Sequence, residues 1–252
     1  RTLDAVGQIY PRSLDLEVVS SLMQTVSPLG NLATQIRLMA GLDLATEGFR
    51  EGQVGSSAMP HKMNARSAER INGFAAILRG HLTMAASIAG DQWNEGDVSC
   101  SVVRRVVLPD AFFAIDGALE TTLTVLDGFG AYPPVIDREL EQYLPFLATT
   151  RILMSAVKAW AGREEAHAIL KDHAVGAALE IREGSSGNND LIDRIAEDPN
   201  LPIDRDTINE ILGDHNNFIG LAQAQVQSFV NAAAIVNSAH PEAGSYHPST
   251  IL

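Results

Sequence analysis

From Leu22 to Ala40 the apolar side chains fall at Leu22, Val26, Leu29, Ala33, Ile36 and Ala40, in alternating steps of four and three. That spacing puts all six on one stripe of an α-helix and suits it to packing at a shallow angle against other helices. The helical pattern extends from Leu14 to about Glu47 and would reach about 50 Å at 1.5 Å per residue, with a bend expected at Pro28. A second helical run spans Ala65 to about Ala89, with Ile71, Phe74, Ala75, Leu78, Leu82 and Ala85 as its core face and Gly90 as its stop. A third runs from about Val98 to Asp127 and is expected to break or kink at Pro109. Three long helices joined in this way predict an elongated bundle.

Gly128, Gly130, Pro133 and Pro134 mark a change of composition. We place a boundary there, dividing residues 1–131, the long-helix bundle, from residues 132–252, a smaller helical domain. The helical pieces beyond it are shorter, at about 137–143, 146–161, 163–183, 188–197, 204–212 and 218–238. No repeat and no convincing strand ladder occurs, so the expected class is all-α.

Composition removes several functional classes. With 31 acidic against 18 basic residues the net charge is −13, which argues against general binding to nucleic acid or anionic membrane. No apolar run approaches the roughly 18 residues of a membrane span, and a cytoplasmic setting is the expectation. The single cysteine, Cys100, excludes an intrachain disulfide and a structural zinc site made of several thiolates. There is no P-loop, G-x-G-x-x-G, G-x-S-x-G or H-E-x-x-H pattern. Glu164 and His167 form a lone E-x-x-H, and the remaining histidines lack metal-ligand spacing, so no metal and no organic cofactor is expected. The chain starts at Arg1 without an initiator methionine, and its first dozen residues read as the middle of a longer protein.

The positive charge is concentrated. One of only three lysines, Lys62, sits in a loop of residues 52–64 punctuated by Gly52, Gly55 and Pro60, and Asn64 has the side chain of a helix N-cap. Arg66 and Arg70 follow one turn apart on the next helix, with Glu69 beside them. Ser101 and Arg105 are one turn apart near the start of the third helix, with Arg104 adjacent. Hydroxyls and guanidinium groups gathered near a Ser-Ser loop, in an otherwise acidic chain, suit a multiply charged anion.

The string Gly55-Ser-Ser-Ala-Met-Pro-His-Lys-Met-Asn64 resembles the signature loop of the fumarase, aspartase and argininosuccinate lyase superfamily, G-S-S-x-M-P-x-K-x-N. Ala58 and His61 make it most similar to the adenylosuccinate lyases within that superfamily. Gly7-Gln-Ile-Tyr10, Arg66-Ser-Ala-Glu-Arg70, Trp93-Asn-Glu95, Ser101 with Arg104-Arg105, Leu144-Pro-Phe-Leu-Ala-Thr149 and Asn189-Asp-Leu-Ile-Asp-Arg194 resemble that family in the same order. The likeness covers essentially the whole chain.

The resemblance implies a β-elimination that releases fumarate from adenylosuccinate, giving AMP, and from the succinylated aminoimidazole carboxamide ribotide of purine synthesis. It gives catalytic roles to Ser56 as base, Ser57, Lys62 and Glu69, and substrate contacts to Gln8, Met59, Lys62, Asn64, Arg70, Ser101 and Arg105. It further implies a homotetramer with shared active sites, and a general acid taken from a histidine in an upstream segment that nothing in this chain matches. Gly96 stands where many members have Arg, and Arg104 is the tempting substitute as a phosphate ligand. Ala65 stands where Pro is common. Two alternatives stay open at this point: another fumarate-releasing lyase of the argininosuccinate type, and a catalytically silent helical fragment.

Overall fold

The computed structural model describes residues 2–48, 58–59, 61–91, 98–185 and 187–248. Among the described residues the chain is all-α apart from two strands of two residues each, and it divides into two compact units, Arg1–Tyr132 with Tyr246–Leu252, and Pro133–Ser245.

The first unit is built on three long helices, α1 (Ser13–Gly41), α2 (Arg66–Ile88) and α3 (Val98–Gly128). The stripe read from the sequence is the one that is buried. Val26, Ala33 and Ile36 of α1 pack with Ile71, Ala75 and Leu78 of α2 and with Ala111, Ala118 and Val125 of α3. Much of this seam is alanine, so the helix backbones come close. Gly30 carries the same logic further, because a Cβ there would sit 3.3 Å from that of Ala75. Beside it the Asn72 amide donates to the Gly30 carbonyl at 2.7 Å and its oxygen accepts from Arg37 at 2.9 Å, tying α2 to α1.

Helix α1 continues through Pro28, where a bend was expected, and α3 continues through Pro109, where a break or kink was expected, so neither helix is interrupted. Both prolines are exposed, so the carbonyl that each leaves without its helical donor lies on the solvent side, where water can replace the lost bond. Helix α1 also ends six residues before the expected Glu47. Leu42–Leu44 form a turn with Asp43 at φ 56°, and strand β1 (Ala45–Thr46) then pairs antiparallel with β2 (Gly130–Ala131). A two-residue strand is too short to show a periodicity, so it leaves no readable trace in the sequence. Gly48 is required here. Its φ is +93°, and a Cβ would lie 2.8 Å from the Gly128 carbonyl oxygen.

In the second unit α4 (Pro133–Lys158) is one helix, although two pieces separated near Pro145 were expected. Leu144, Pro145 and Ala148 are all buried, and burial of this face holds the helix through the proline. Helix α4 packs with α5 (Arg163–Glu183), α6 (Leu191–Glu197) and α7 (Arg205–Gly213) around Ile152, Leu170, Ala177, Leu191, Ile195 and Ile208. Arg194 clasps Glu180 at 2.6 Å and Asp190 at 2.8 Å, over Gly176, where a Cβ would be 3.2 Å from the guanidinium. Asn189 accepts from the Leu191 N–H at 3.0 Å and donates to the Gln142 carbonyl at 2.7 Å. Helices α8 (Ala222–Ala239) and α9 (Pro241–Gly244) bury no residue.

At the end of α6 the Asp198 carboxylate accepts from the Asn200 N–H at 2.8 Å and meets the His173 ring at 2.7 Å. These contacts, the backbone one first, hold its carboxyl below the usual range. A carboxyl lowered on folding stabilises above its unfolded pKa, and that stability is lost as pH falls through the folded value. The melting temperature of Asp198→Asn should therefore lie below that of the parent at pH 6, and the gap should close below about pH 4. Thermal melts across that range check the sign.

Candidate active site

The sequence-derived site residues that are described all lie in the first unit. Gln8 is exposed in the segment before α1. Met59, Lys62 and Asn64 lie on the approach to α2, where the Lys62 N–H donates to the Met59 carbonyl at 3.0 Å. Glu69 and Arg70 occupy the first turn and a half of α2, and Ser101 and Arg105 the start of α3. Ser56 and Ser57 fall outside the described residues, as do Trp93, Glu95 and Gly96.

The Lys62 ammonium is exposed, as is the Glu69 carboxylate, while Asn64, Arg70 and Ser101 are half-buried. A layout of this kind offers separate charged and hydroxyl groups to an anion. Among the described residues no group of three or more His, Cys, Asp or Glu side chains is placed to hold a metal ion.

The start of α2 differs from expectation. The N-cap position is Ala65, not Asn64, and no side chain at that position caps the helix. Glu47 does so from 20 residues away. Its two carboxylate oxygens accept from the Ser67 and Ala68 N–H groups, each at 2.9 Å, and the residue is only 8% exposed. A carboxylate taking two N–H donors at once is a stronger cap than a neutral amide, and it also neutralises the positive end of the helix. The α2 dipole is therefore engaged by the protein's own carboxylate. Capping patterns in sequence are local, and a donor–acceptor pair spanning the loop has no such signature.

Arg104, the tempting substitute as a phosphate ligand, is bonded to neighbouring side chains. Its Nε donates to the Asp15 carboxylate at 2.7 Å, and its Nη2 to the Tyr10 hydroxyl. The Tyr10 hydroxyl donates in turn to the other Asp15 oxygen at 2.8 Å. Asp15 is buried, at 5% exposure, and the Arg12 guanidinium lies 4.9 Å from the Tyr10 ring centroid. Burial, followed by the bond to Asp15, raises the Tyr10 phenol above its ordinary pKa. Arg104 is thus held in an intramolecular network, whereas Arg105 is exposed and has no ion-pair partner among the described residues.

Comparison with known proteins bears on what this arrangement serves. The family model described as adenylosuccinate lyase C-terminus matches residues 145–229. The adenylosuccinate lyase of Schizosaccharomyces pombe is 37% identical over 225 residues, 89% of this chain and 46% of that protein. Those of Saccharomyces cerevisiae and Schistosoma mansoni are 36% and 34% identical, over 89% and 92% of this chain and 46% and 48% of theirs. The chain belongs to the adenylosuccinate lyase family.

The chain spans about half the length of the curated relatives it matches. Two solved structures share the fold of this adenylosuccinate lyase family member. The 3-carboxy-cis,cis-muconate lactonizing enzyme of Pseudomonas putida has a TM-score of 0.71 at 22% identity, covering 86% of this chain and 47% of that one. The fumarate lyase of Mesorhizobium sp. BNC1 has a TM-score of 0.65 at 21% identity, covering 86% and 46%. At such identities they speak for the helical architecture alone. Among the described residues no helix is long and apolar enough to cross a membrane.

Proposed function

We propose that the protein carrying this chain is a C–N lyase of purine biosynthesis, releasing fumarate from adenylosuccinate to give AMP and from the succinylated aminoimidazole carboxamide ribotide. The reading is carried by the signature string Gly55–Asn64 in a chain whose relatives over nearly nine-tenths of its length are adenylosuccinate lyases. Its last residues lead directly into α2, which bears Glu69 and Arg70.

In this reading Ser56 removes a proton from the succinyl carbon next to a carboxylate. The resulting carbanion is delocalised into that carboxylate, where Lys62 and Asn64 oppose the growing negative charge. Its electron pair then forms the fumarate double bond as the C–N bond breaks, and an acid protonates the departing nitrogen. By the resemblance that acid is a histidine of a motif that no residues of this chain match. Serine is a weak base, so nearby cations and exclusion of water have to stabilise its alkoxide. Gln8 and Arg70 bind the substrate, Met59 lines the site, and the Ser101 hydroxyl and Arg105 guanidinium, one turn apart, grip the phosphate. Glu69 and Ser57 complete the catalytic set. The enzyme works as a cytoplasmic homotetramer with active sites shared between subunits.

The test is turnover of adenylosuccinate by the full-length protein, followed as equimolar fumarate and AMP. Argininosuccinate as the preferred substrate would replace this reading with the argininosuccinate-type alternative, and no turnover of either would favour a silent bundle.

A further inference from the structure

Three elements meet at Asp15. Tyr10 belongs to the segment before α1, Asp15 to the first turn of α1, and Arg104 to the second turn of α3. The three side chains close a ring of hydrogen bonds, Tyr10 to Asp15, Arg104 to Asp15, and Arg104 to Tyr10. Two cations flank the Tyr10 ring, with the Arg12 and Arg104 guanidinium carbons 4.9 and 5.3 Å from its centroid. A buried carboxylate with two donors and a planar guanidinium with two acceptors leave each other little freedom. Gln8 lies two residues before Tyr10, and Arg104 sits between Ser101 and Arg105 in the same two turns of helix.

We propose that Tyr10, Asp15 and Arg104 form a positioning clamp that holds the Gln8 segment against the Ser101–Arg105 turn and so sets the geometry of phosphate binding. The proposal rests on the functional reading above, because it takes Ser101 and Arg105 as the phosphate ligands. Arg104 acts through its neighbours and does not touch the substrate.

The clamp and the direct-ligand role for Arg104 predict opposite signs. Asp15→Asn weakens the hold on Arg104. A positioning clamp then loses register, and KM for adenylosuccinate should rise by about tenfold, the worth of one charge-assisted hydrogen bond, with kcat within about twofold. A direct ligand would be released toward the phosphate, and KM would stay or fall. Tyr10→Phe keeps the ring and removes the bridging hydroxyl, so a smaller rise in KM is expected. Arg104→Lys, which keeps a cation for Asp15, should fall between Tyr10→Phe and Arg104→Ala. The variants should lose less on the dephosphorylated succinyl nucleoside than on adenylosuccinate, because the Ser101–Arg105 grip acts only on the phosphate while Gln8 serves both substrates.

Equal losses on both substrates, or a fall in KM for Asp15→Asn, would overturn the proposal. Thermal melts of Tyr10→Phe, Asp15→Asn and the double variant test the clamp without substrate, and strictly additive effects count against it. Failure of the unmutated enzyme to turn over adenylosuccinate strikes the functional reading instead, while coupling in the melts would still report the clamp.

Discussion

Replacing Ser56 by alanine is expected to lower kcat for fumarate release by about 10²- to 10⁴-fold, the range that a positioned general base contributes. KM should change little, because the hydroxyl is asked to move a proton and not to hold the ground state. Steady-state assays of the full-length protein give both values, and calorimetric titration of the variant with adenylosuccinate shows whether binding survives. Ser57→Ala is the internal control. It removes a hydroxyl from the same loop and should cost less, since Ser57 is the neighbour of the base. Undiminished turnover in Ser56→Ala would remove the base assignment while leaving Lys62 and Asn64 as anion ligands. Loss of binding with unchanged kcat would make Ser56 a substrate contact.

The second large effect is on stability. Glu47→Ala removes the cap of α2 and leaves the Ser67 and Ala68 N–H groups without their acceptor. Each lost charge-assisted bond is worth about 1.5–3 kcal/mol, and water reaching the opened turn recovers part of it, so the net cost should be about 3 kcal/mol. For a protein of this size that corresponds to a melting temperature lower by roughly 6–12 °C. Glu47→Gln, which keeps one acceptor oxygen in place, should lose about half as much. A melt of Glu47→Ala indistinguishable from the parent would show that another group caps the helix. Asn64→Ala offers the complementary check. On the observed geometry it should cost far less than Glu47→Ala, whereas a capping Asn64 would reverse that order.

These expectations differ in how directly the sequence supports them. The α1 stripe and the α2 core face were legible because burial of a helix face leaves a repeating trace of three and four residues. Val26, Ala33, Ile36, Ile71, Ala75 and Leu78 all read correctly in this way. Whether a proline interrupts its helix was not legible, because its cost depends on where the unpaired carbonyl points and on what the flanking residues bury. Pro145 breaks nothing in α4, where its neighbours are buried, and Pro28 breaks nothing on the exposed side of α1. The site shows the same division. The string from Gly55 to Asn64 and the pairing of Ser101 with Arg105 are contiguous or one turn apart, and such patterns lie in the sequence itself.

What the sequence determined by itself was therefore the all-α class, the three long helices with their buried faces, the family, and the candidate residues of its signature loop. Each is a matter of local order along the chain. Only the tertiary structure decided what those residues can do with their charge. Asp15 and Arg104 are 89 positions apart, and Glu47 and Ala68 are 21 apart, yet in the fold they are in contact. An arginine that composition offers as an anion ligand becomes a clamp when a buried carboxylate lies within 2.7 Å, and a helix start that offers a dipole is neutralised when a glutamate folds back on it. The Coulomb energy that makes this choice falls with distance in space, which position along the chain does not encode.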